Sequence, residues 1–429
     1  MAAFPKTLSG WLELLEARHG QTITLGLERI RQVRDALALQ STSVMLTVGG
    51  TNGKGSSCAM LEAILSAAGY RVGKYTSPHL LSYAERVRLN GESVDEALLA
   101  QAFEKVELAR QDVPLSYFEH GTLAAWVCFA QAQLDVIIWE VGLGGRLDAT
   151  NIFDADCALI TSVDFDHMDY LGNTLEAIAF EKAGIFRSNT PAICAQPQPP
   201  ATLLEHAQKL GCDLKVIGED FGYLAQIDHR EQWIFWSERG KKRRSGLAYP
   251  ALRGAYQLQN ASGVLAMLEA VQARLPVSMQ AIRQGLMLVS LPGRFQVLLG
   301  QPSCILDVAH NPHAARALAH TLGGMAYAPQ TYAVFGMLGD KDIESVVRIL
   351  NPHITHWYLA GLPGPRALPT AVLHQRLSQA GIQTSILEYD DPQAALLAAR
   401  TAAQKDDRIV IFGSFLTVAG AMPGLLDKV

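Results

Sequence analysis

The 429-residue sequence lacks the features of a secreted, membrane-spanning or nucleic-acid-binding protein. Its six cysteines form no C-x-x-C pair and most lie in apolar runs, which excludes a disulfide framework or a zinc site. The N-terminus has no basic and apolar signal region, and no apolar run is long enough to cross a bilayer. A net charge of −5 is too small to indicate nucleic acid or a membrane surface. No Ser-His-Asp or Cys-His nucleophile arrangement stands out. We therefore expect a soluble, cytoplasmic protein.

Short β-rich runs alternate with amphipathic helices in the first half of the chain. This alternation is typical of an α/β fold with a doubly wound, mostly parallel sheet. The core strands are predicted at Val44–Val48, Val136–Val141, Ala158–Val163 and Ala192–Ala195. Residues 214–249 change to short alternating segments, which predict an antiparallel meander at the edge, with Lys241–Arg244 as its solvated hairpin tip.

A second α/β alternation follows a turn at Pro292-Gly293, where the preceding helical pattern stops. The predicted layout is therefore an ATP-binding domain at 1–289, a linker at 290–296 and a smaller, Rossmann-like α/β domain at 297–429. Ligand sites in such sheets lie beyond the carboxyl ends of the strands, which is where the polar motifs fall.

The most informative segment is residues 46–57, in which an apolar strand breaks into a glycine-rich turn around Lys54 and continues as a helix. Backbone N–H groups and the helix N-terminus then form a phosphate cradle. Lys54 is expected against the outer phosphates, with the hydroxyls of Ser56 and Ser57 near a magnesium ion. The spacing differs from the usual G-x-x-x-x-G-K-[ST], because Val48 replaces the first glycine and Gly55 separates the lysine from the serine.

Polar residues also follow three other predicted strands of the same domain. Glu140 ends one strand, Asp166 and His167 follow the second, and Ser77 follows a third, shorter one. A carboxylate next to buried hydrophobic residues is costly unless it is paired or bound to a metal. One carboxylate and one neutral imidazole beside nucleotide phosphates suit a magnesium ion that keeps several waters.

Ten ordered blocks resemble the Mur-ligase superfamily and, more closely, its folylpolyglutamate synthase and dihydrofolate synthase branch. The blocks are Ile23–Arg29, Gly50–Ser56, Thr76–Leu80, Ser116–Glu119, Glu140–Asn151, Asp166–His167, Glu181–Ile185, Leu291–Gln296, Asp307–Pro312 and Gly413–Phe415. The resemblance implies that ATP phosphorylates a substrate carboxylate and that the amine of glutamate attacks the acyl phosphate, which gives an amide, ADP and phosphate.

The resemblance also implies roles for individual residues. ATP is expected at Thr51, Asn52, Gly53, Lys54, Asn260, Arg294 and Asp307, and magnesium at Ser77, Glu140, His167 and, more weakly, Ser56. Lys182 matches the lysine that the family carries as a carbamate, which turns a cation into a ligand for a second magnesium ion. His310 and Ser414 are expected to hold the incoming glutamate. Arg294 lies in the linker, from which it is expected to reach the nucleotide.

The pteroate part of the substrate is implied to lie against three segments, which are Ile23, Thr24, Leu25 and Gly26; Ser116, Tyr117, Phe118 and Glu119; and Leu147, Asp148 and Ala149. Thr24 stands where an aspartate is expected in closely similar bacterial sequences. The first segment nevertheless resembles the dihydropteroate-binding loop of the bifunctional enzymes, so we expect both activities, with dihydropteroate and tetrahydrofolates as acceptors.

Three alternatives remain open. They are a monofunctional folylpolyglutamate synthase, a cell-wall Mur ligase and an ATP-binding protein without ligase activity. A cell-wall ligase would need a further N-terminal domain for its uridine nucleotide, whereas about forty residues precede the phosphate loop. Lys54, Glu140, His167 and Lys182 together argue against an inactive protein. We expect small-molecule substrates, no nucleic-acid or membrane partner, and a monomer.

Overall fold

The computed structural model describes residues 4–18, 25–225 and 232–426, and it divides into two compact units. The first contains Met1–Ala251 and Leu258–Val289, and the second contains Leu252–Gln257 and Ser290–Val429. No sequence pattern indicates that Leu252–Gln257 belongs with the later residues. Among the described residues, no helix is long and apolar enough to cross a membrane.

The described part of the first unit is built on an eight-stranded sheet of order β4-β3-β2-β5-β1-β6-β7-β8. Its strands are β1 (Val44–Gly49), β2 (Val72–Tyr75), β3 (Val87–Leu89), β4 (Glu92–Ser93), β5 (Val136–Glu140), β6 (Cys157–Ile160), β7 (Pro191–Cys194) and β8 (Asp213–Val216). Only the pairs β2–β3 and β3–β4 are antiparallel in this sheet. The central strands are nearly continuous apolar runs, as expected for parallel strands that are buried on both faces.

The helices of this unit connect and cover those strands. They are α1 (Leu8–Arg18), α2 (Glu28–Leu37), α3 (Lys54–Ala67), α4 (Glu96–Arg110), α5 (Tyr117–Gln131), α6 (Met168–Leu171), α7 (Leu175–Ala183), α8 (Ala201–Leu210), α9 (Gln257–Ala270) and α10 (Met279–Leu288). The sequence predicts helices at 56–68, 95–110, 120–133, 174–183, 255–271 and 277–288, which match α3, α4, α5, α7, α9 and α10 to within a few residues. One core cluster joins α4 and α5 to β5, where Trp139 stacks on Phe153 with ring centroids 4.5 Å apart.

The later part of the predicted meander forms a separate three-stranded antiparallel sheet of β9 (Gly222–Ala225), β10 (Gln232–Ser237) and β11 (Lys242–Ala248). Its predicted start at 214 is wrong, because residues 214–216 belong to β8, which pairs parallel with β7. The prediction that Lys241–Arg244 form a hairpin tip is wrong for most of the segment, because Lys242 already begins β11. Arg244 is anchored instead of solvated, with Nη2 2.9 Å from Oε1 of Glu269 on α9.

The described part of the second unit has a six-stranded sheet of order β12-β13-β17-β14-β15-β16, in which only β12 is antiparallel to its neighbour. The strands are β12 (Gln296–Leu298), β13 (Ser303–Leu306), β14 (Thr331–Phe335), β15 (His356–Ala360), β16 (Ser385–Tyr389) and β17 (Arg408–Phe412). The helices are α11 (Pro312–Gly323), α12 (Ile343–Leu350), α13 (Thr370–Gln379), α14 (Pro392–Ala402), α15 (Phe415–Ala421) and α16 (Pro423–Leu426). The predicted α/β class with mostly parallel sheets is confirmed in both units.

Register aligns the carboxyl ends of the central strands in the first unit. Val48 pairs with Glu140 of β5, and Gly49 pairs with Ile160 of β6. The residues that follow these strands therefore emerge side by side at one edge of the sheet, where ligands bind in open α/β folds.

Candidate active site

The phosphate loop joins β1 directly to α3. Two of its glycines have positive φ angles, which residues with a side chain rarely adopt. Gly50 has φ +142° and Gly53, which precedes the first residue of α3, has φ +87°. Lys54 Nζ donates to the carbonyl oxygens of Gly50 at 2.9 Å and Thr51 at 3.2 Å, so its ammonium lies over the loop. The N–H groups in the first turn of a helix have no partner within that helix, and they make its N-terminus an anion site.

Residues that follow β6 hold this loop in place. Thr51 N–H donates to Ser162 O at 2.8 Å, and Asn52 N–H donates to Ser162 Oγ at 2.9 Å. Thr161 Oγ1 donates to Asn52 O at 2.6 Å. Thr51 Oγ1 donates to Asp164 O at 3.0 Å. The backbone of the loop is therefore hydrogen-bonded to a segment more than one hundred residues away in sequence.

Asn260 on α9 also lies against the loop. It is buried, and a methyl group at Gly53 would collide with its Oδ1 atom. The structure thus brings Asn260 to the residues that were predicted to hold the nucleotide. Glycine is required at position 53 for two reasons, which are its positive φ angle and the lack of room for a Cβ atom next to Asn260.

Two of the predicted magnesium ligands are in direct contact. Ser77 N–H donates to Glu140 Oε2 at 3.1 Å, and Glu140 is only 4% exposed. Ser56 is also buried, in the first turn of α3. A buried carboxylate together with serine hydroxyls is a set of hard oxygen donors, which fits magnesium.

His167 follows β6 in a left-handed conformation, with φ +51°. Its Nε2 lies 3.8 Å from Oδ1 of Asp166. Among the described residues, no group of three or more His, Cys, Asp or Glu side chains is arranged as a metal site. The predicted magnesium ligands include serines and a modified lysine, which are not among those four residue types. The magnesium assignment therefore stays a prediction.

Lys182 lies near the end of α7 and is 3% exposed. Burial, followed by the charge of Lys54, lowers the pKa of Lys182 to about 7, against the opposing effect of Asp166 and Asp148. In a large fraction of the molecules Lys182 is therefore a neutral amine near neutral pH, and the neutral amine is the form that reacts with carbon dioxide.

The residues implied to hold pteroate come from segments that meet. A methyl group at Gly142 would touch both the Phe118 ring and Asp148 Oδ2. Asp148 is held by N–H groups of Gly142 at 3.1 Å and Leu143 at 2.9 Å and by the Thr150 hydroxyl at 2.6 Å, and burial raises its pKa.

Ser116 and Glu119 already have a structural role at the start of α5. Their side chains form a capping box, and Arg29 Nη2 donates to Glu119 Oε1 at 3.0 Å. Leu147 and Ala149 flank Asp148, while Leu25 and Gly26 precede α2. Ile23 and Thr24 lie outside the described residues.

The predicted residues of the second unit gather at the ends of β13 and β17. Asp307 accepts N–H groups of Phe295 at 2.9 Å and Ala309 at 2.8 Å; burial raises its pKa, and Arg294 opposes that effect. The Arg294 guanidinium lies 5.0 Å from the centre of the Phe415 ring.

The two residues predicted to hold glutamate are also ordered by local contacts. His310 Nδ1 lies 2.8 Å from Val308 O, and its ring centroid is 6.2 Å from that of Phe415. Ser414 Oγ accepts the Thr417 N–H at 3.0 Å and caps α15.

Family models match most of this chain. A model of the Mur ligase middle domain matches residues 48–268, and a model of the Mur ligase glutamate ligase domain matches residues 293–415. The dihydrofolate synthase/folylpolyglutamate synthase of Escherichia coli K12 is 45% identical over 416 residues, which cover 97% of this chain and 94% of that protein. The chain belongs to this family of Mur ligases.

Solved structures of such ligases share the fold. E. coli FolC in complex with DHPP and ADP matches with a TM-score of 0.93 at 42% identity, over 100% of both chains. A bifunctional folylpolyglutamate synthase/dihydrofolate synthase with Mn, AMPPNP and L-glutamate bound matches with a TM-score of 0.90 at 43% identity, over 99% of this chain and 100% of that one. The family resemblance drawn from the sequence is confirmed.

Sequence reasoning missed the residues that brace the phosphate loop of this Mur ligase. Thr161 and Ser162 fall within the predicted strand Ala158–Val163, whereas the structure uses their side chains to fix Asn52. Two hydroxyl residues directly after a buried parallel strand, next in the sheet to the phosphate-loop strand, are the signal that could have found them.

Proposed function

We propose that this chain is an ATP-dependent ligase that joins L-glutamate to dihydropteroate and to reduced folates. ATP phosphorylates the acceptor carboxylate, the amine of glutamate attacks the acyl phosphate, and an amide, ADP and phosphate are released. The observation that carries the proposal is the grouping of the braced phosphate loop, the buried Glu140 and the buried Lys182 in one unit of a chain whose relatives are such synthases.

The chain's own residues supply position and charge for this reaction. Phosphoryl transfer depends mainly on alignment and on neutralising the phosphates, and it needs no protein nucleophile. Lys54 and the N-terminus of α3 meet the phosphates, and the hydrogen bonds from Thr161 and Ser162 keep that surface from shifting. Ser77, Glu140, His167 and Ser56 would hold a magnesium ion, which neutralises phosphate charge when it is bound.

Lys182 is proposed to act as a carbamate. Its neutral Nζ attacks carbon dioxide, a C–N bond forms and one proton is released, so a buried neutral amine becomes an anion. The lowered pKa favours the neutral amine that this addition requires. The carbamate oxygens would hold the second magnesium ion.

The decisive experiment is product analysis with dihydropteroate and, separately, with a reduced folate monoglutamate as acceptor. Glutamate-dependent ADP release with an amide product from both acceptors is the expected result. An amide product from the folate but not from dihydropteroate would show that the protein is a monofunctional folylpolyglutamate synthase. ADP release that depends on neither acceptor, with no amide formed, would reject the ligase proposal.

We also infer that the protein works as a monomer in the cytoplasm. Its six cysteines are free thiols, five of them buried, which is the usage of a reducing compartment. Sedimentation of the purified protein with and without ATP tests the first inference, and fractionation of cells that express it tests the second.

A further inference from the structure

Arg86, directly before β3, lies within a group of aromatic side chains that we call the aromatic cage: Tyr75, Tyr83, Tyr117 and His79. The guanidinium carbon of Arg86 lies 4.7 Å from the centre of the Tyr83 ring and 5.8 Å from that of Tyr117. Its Nε–H donates to His79 Nδ1 at 3.0 Å, and Tyr75 is a further neighbour that affects the pKa of Arg86. Cations are attracted to ring faces at these distances.

The members of the aromatic cage are uncharged near neutral pH. Three of its four members are tyrosines, and burial, the first cause, raises the pKa of Tyr117 to about 12. Burial also raises the pKa of Tyr83 well above its usual value. The cage therefore holds one positive charge and supplies no negative charge to balance it.

Several other arginines of this unit are paired with carboxylates. The pairs include Arg18–Glu107, Arg29–Glu119, Arg71–Asp135, Arg88–Glu62 and Arg146–Glu181. Within the described part of the chain, Arg86 forms no such ion pair. A guanidinium has five N–H donors, of which the bond to His79 uses one. The partly exposed Arg86 therefore keeps donors for an external anion.

The aromatic cage adjoins the candidate active site but is distinct from its phosphate end. Tyr75 lies beside Phe118, with ring centroids 6.0 Å apart, and Asp148 acts on the pKa of both Tyr75 and Lys182. Arg86 O accepts the Thr76 N–H at 2.9 Å, one residue before Ser77. The neighbours of Lys182 are instead Lys54, Asp166 and Asp148.

We propose that Arg86 binds the carboxylate of a folyl substrate that is not phosphorylated, which is the α-carboxylate of its terminal glutamate. This proposal rests on the proposed function. The carboxylate that reacts must lie with Lys54 and the phosphates, so an arginine in a separate neighbouring group serves a second carboxylate. A reduced folate monoglutamate has two carboxylates, whereas dihydropteroate has one. Arg86 is thus a specificity-determining residue for the folate reaction alone.

The test compares kcat and KM for the two acceptors in wild type and Arg86→Gln, at saturating ATP and glutamate. A charge-assisted hydrogen bond to a carboxylate is lost in the variant, so KM for tetrahydrofolate should rise about tenfold or more. KM for dihydropteroate should change by less than about threefold, since no contact to its single, reacting carboxylate is removed. Arg86→Lys should recover part of the affinity because it keeps the charge. Equal effects on both acceptors, or no effect on either, would overturn the proposal.

Arg88→Gln is the matched control, because Arg88 lies two residues away and pairs with Glu62. It should leave both KM values unchanged. If Arg86→Gln does not fold, the test uses the wild-type protein alone. Its affinity for tetrahydrofolate is compared with its affinity for the analogue in which the α-carboxylate is replaced by a carboxamide. About tenfold weaker binding of the amide supports the proposal, and equal binding rejects it. Because binding is measured without glutamate, it tests whether the α-carboxylate is recognised even if wild type forms no amide and the proposed function fails.

Discussion

Lys182 lies close enough to Lys54 for their charges to interact. Burial is the first cause that lowers the pKa of Lys182 to about 7, and the ammonium charge of Lys54 is the second. Two lysines are thus held near each other in a region that also contains Asp148 and Asp166. Two ammonium groups in such an arrangement repel each other, and a carbamate on one of them would convert the repulsion into attraction.

Lys182→Ala should therefore lower kcat by about 10²-fold or more, as expected when a group that organises charge at a phosphoryl-transfer site is removed. Small carboxylic acids in the buffer should restore part of the activity by occupying the space of the missing carbamate. Steady-state kinetics with and without acetate measure both effects. Full activity of the variant without additives would rule out the carbamate.

Glu140→Gln should abolish magnesium-dependent turnover and leave the fold intact. The amide oxygen can still accept the Ser77 N–H, but the negative charge that a magnesium ion requires is lost. Magnesium titrations of activity, together with circular dichroism, separate the two effects. A magnesium response like that of wild type would remove Glu140 from the metal site.

Gly53→Ala and Gly69→Ala form a matched pair, because both glycines have nearly the same positive φ, +87° and +88°. Each alanine should cost about 1–2 kcal/mol of backbone strain. Only the methyl group at position 53 meets Asn260, since nothing lies within 4 Å of a Cβ at position 69. Gly53→Ala should therefore weaken ATP binding strongly while Gly69→Ala does not. Titration with a fluorescent ATP analogue and thermal unfolding of both variants provide the comparison; equal ATP affinities would show that the contact with Asn260 does not matter.

Glu107 links α1 to α4 through hydrogen bonds from Arg18 and Arg110, each with a shortest distance of 2.8 Å or less. Burial alone would raise its pKa, but the two arginines outweigh burial and lower the pKa to about 2. Because the folded-state pKa is below the unfolded value, the stabilisation is present above about pH 4.5 and is lost as the pH falls towards 2.

Glu107→Gln should consequently lower the free energy of unfolding at pH 7 by about 1–3 kcal/mol and flatten its dependence on pH between 4.5 and 2. Urea unfolding at several pH values measures both. Glu238→Gln, in the exposed pair with Lys242, is the control and should show neither change. A slope for Glu107→Gln equal to that of wild type would contradict the assignment.

The fold was predictable where burial produces a strong pattern. The strands β1, β5 and β6 are apolar runs that glycine or polar residues end, so their positions and the motifs after them could be identified. By contrast, β16 is half exposed and carries Glu388 within it, so no apolar run marks it. The basic run at 241–244 suggested a solvated turn because the partner of Arg244, Glu269, lies 25 residues later in the sequence, on α9.

The motifs of the candidate site could be predicted from the sequence, but the residues that hold those motifs in place could not. Lys54, Glu140 and Lys182 stand in recognisable local patterns. The bond from Thr161 to Asn52 spans 109 residues, and the aromatic cage of Arg86 combines residues from three elements. Such contacts depend on strand order and register, which a single sequence does not fix.

The braced phosphate loop also limits how this ligase can be redesigned. The segment after β6 that ties down Thr51 and Asn52 is the same segment that, a few residues later, carries Asp166 and His167. A phosphate loop transplanted from another nucleotide-binding protein would arrive without these anchors, and new anchors placed there would shift Asp166 and His167 as well. The two segments form one module and have to be exchanged together.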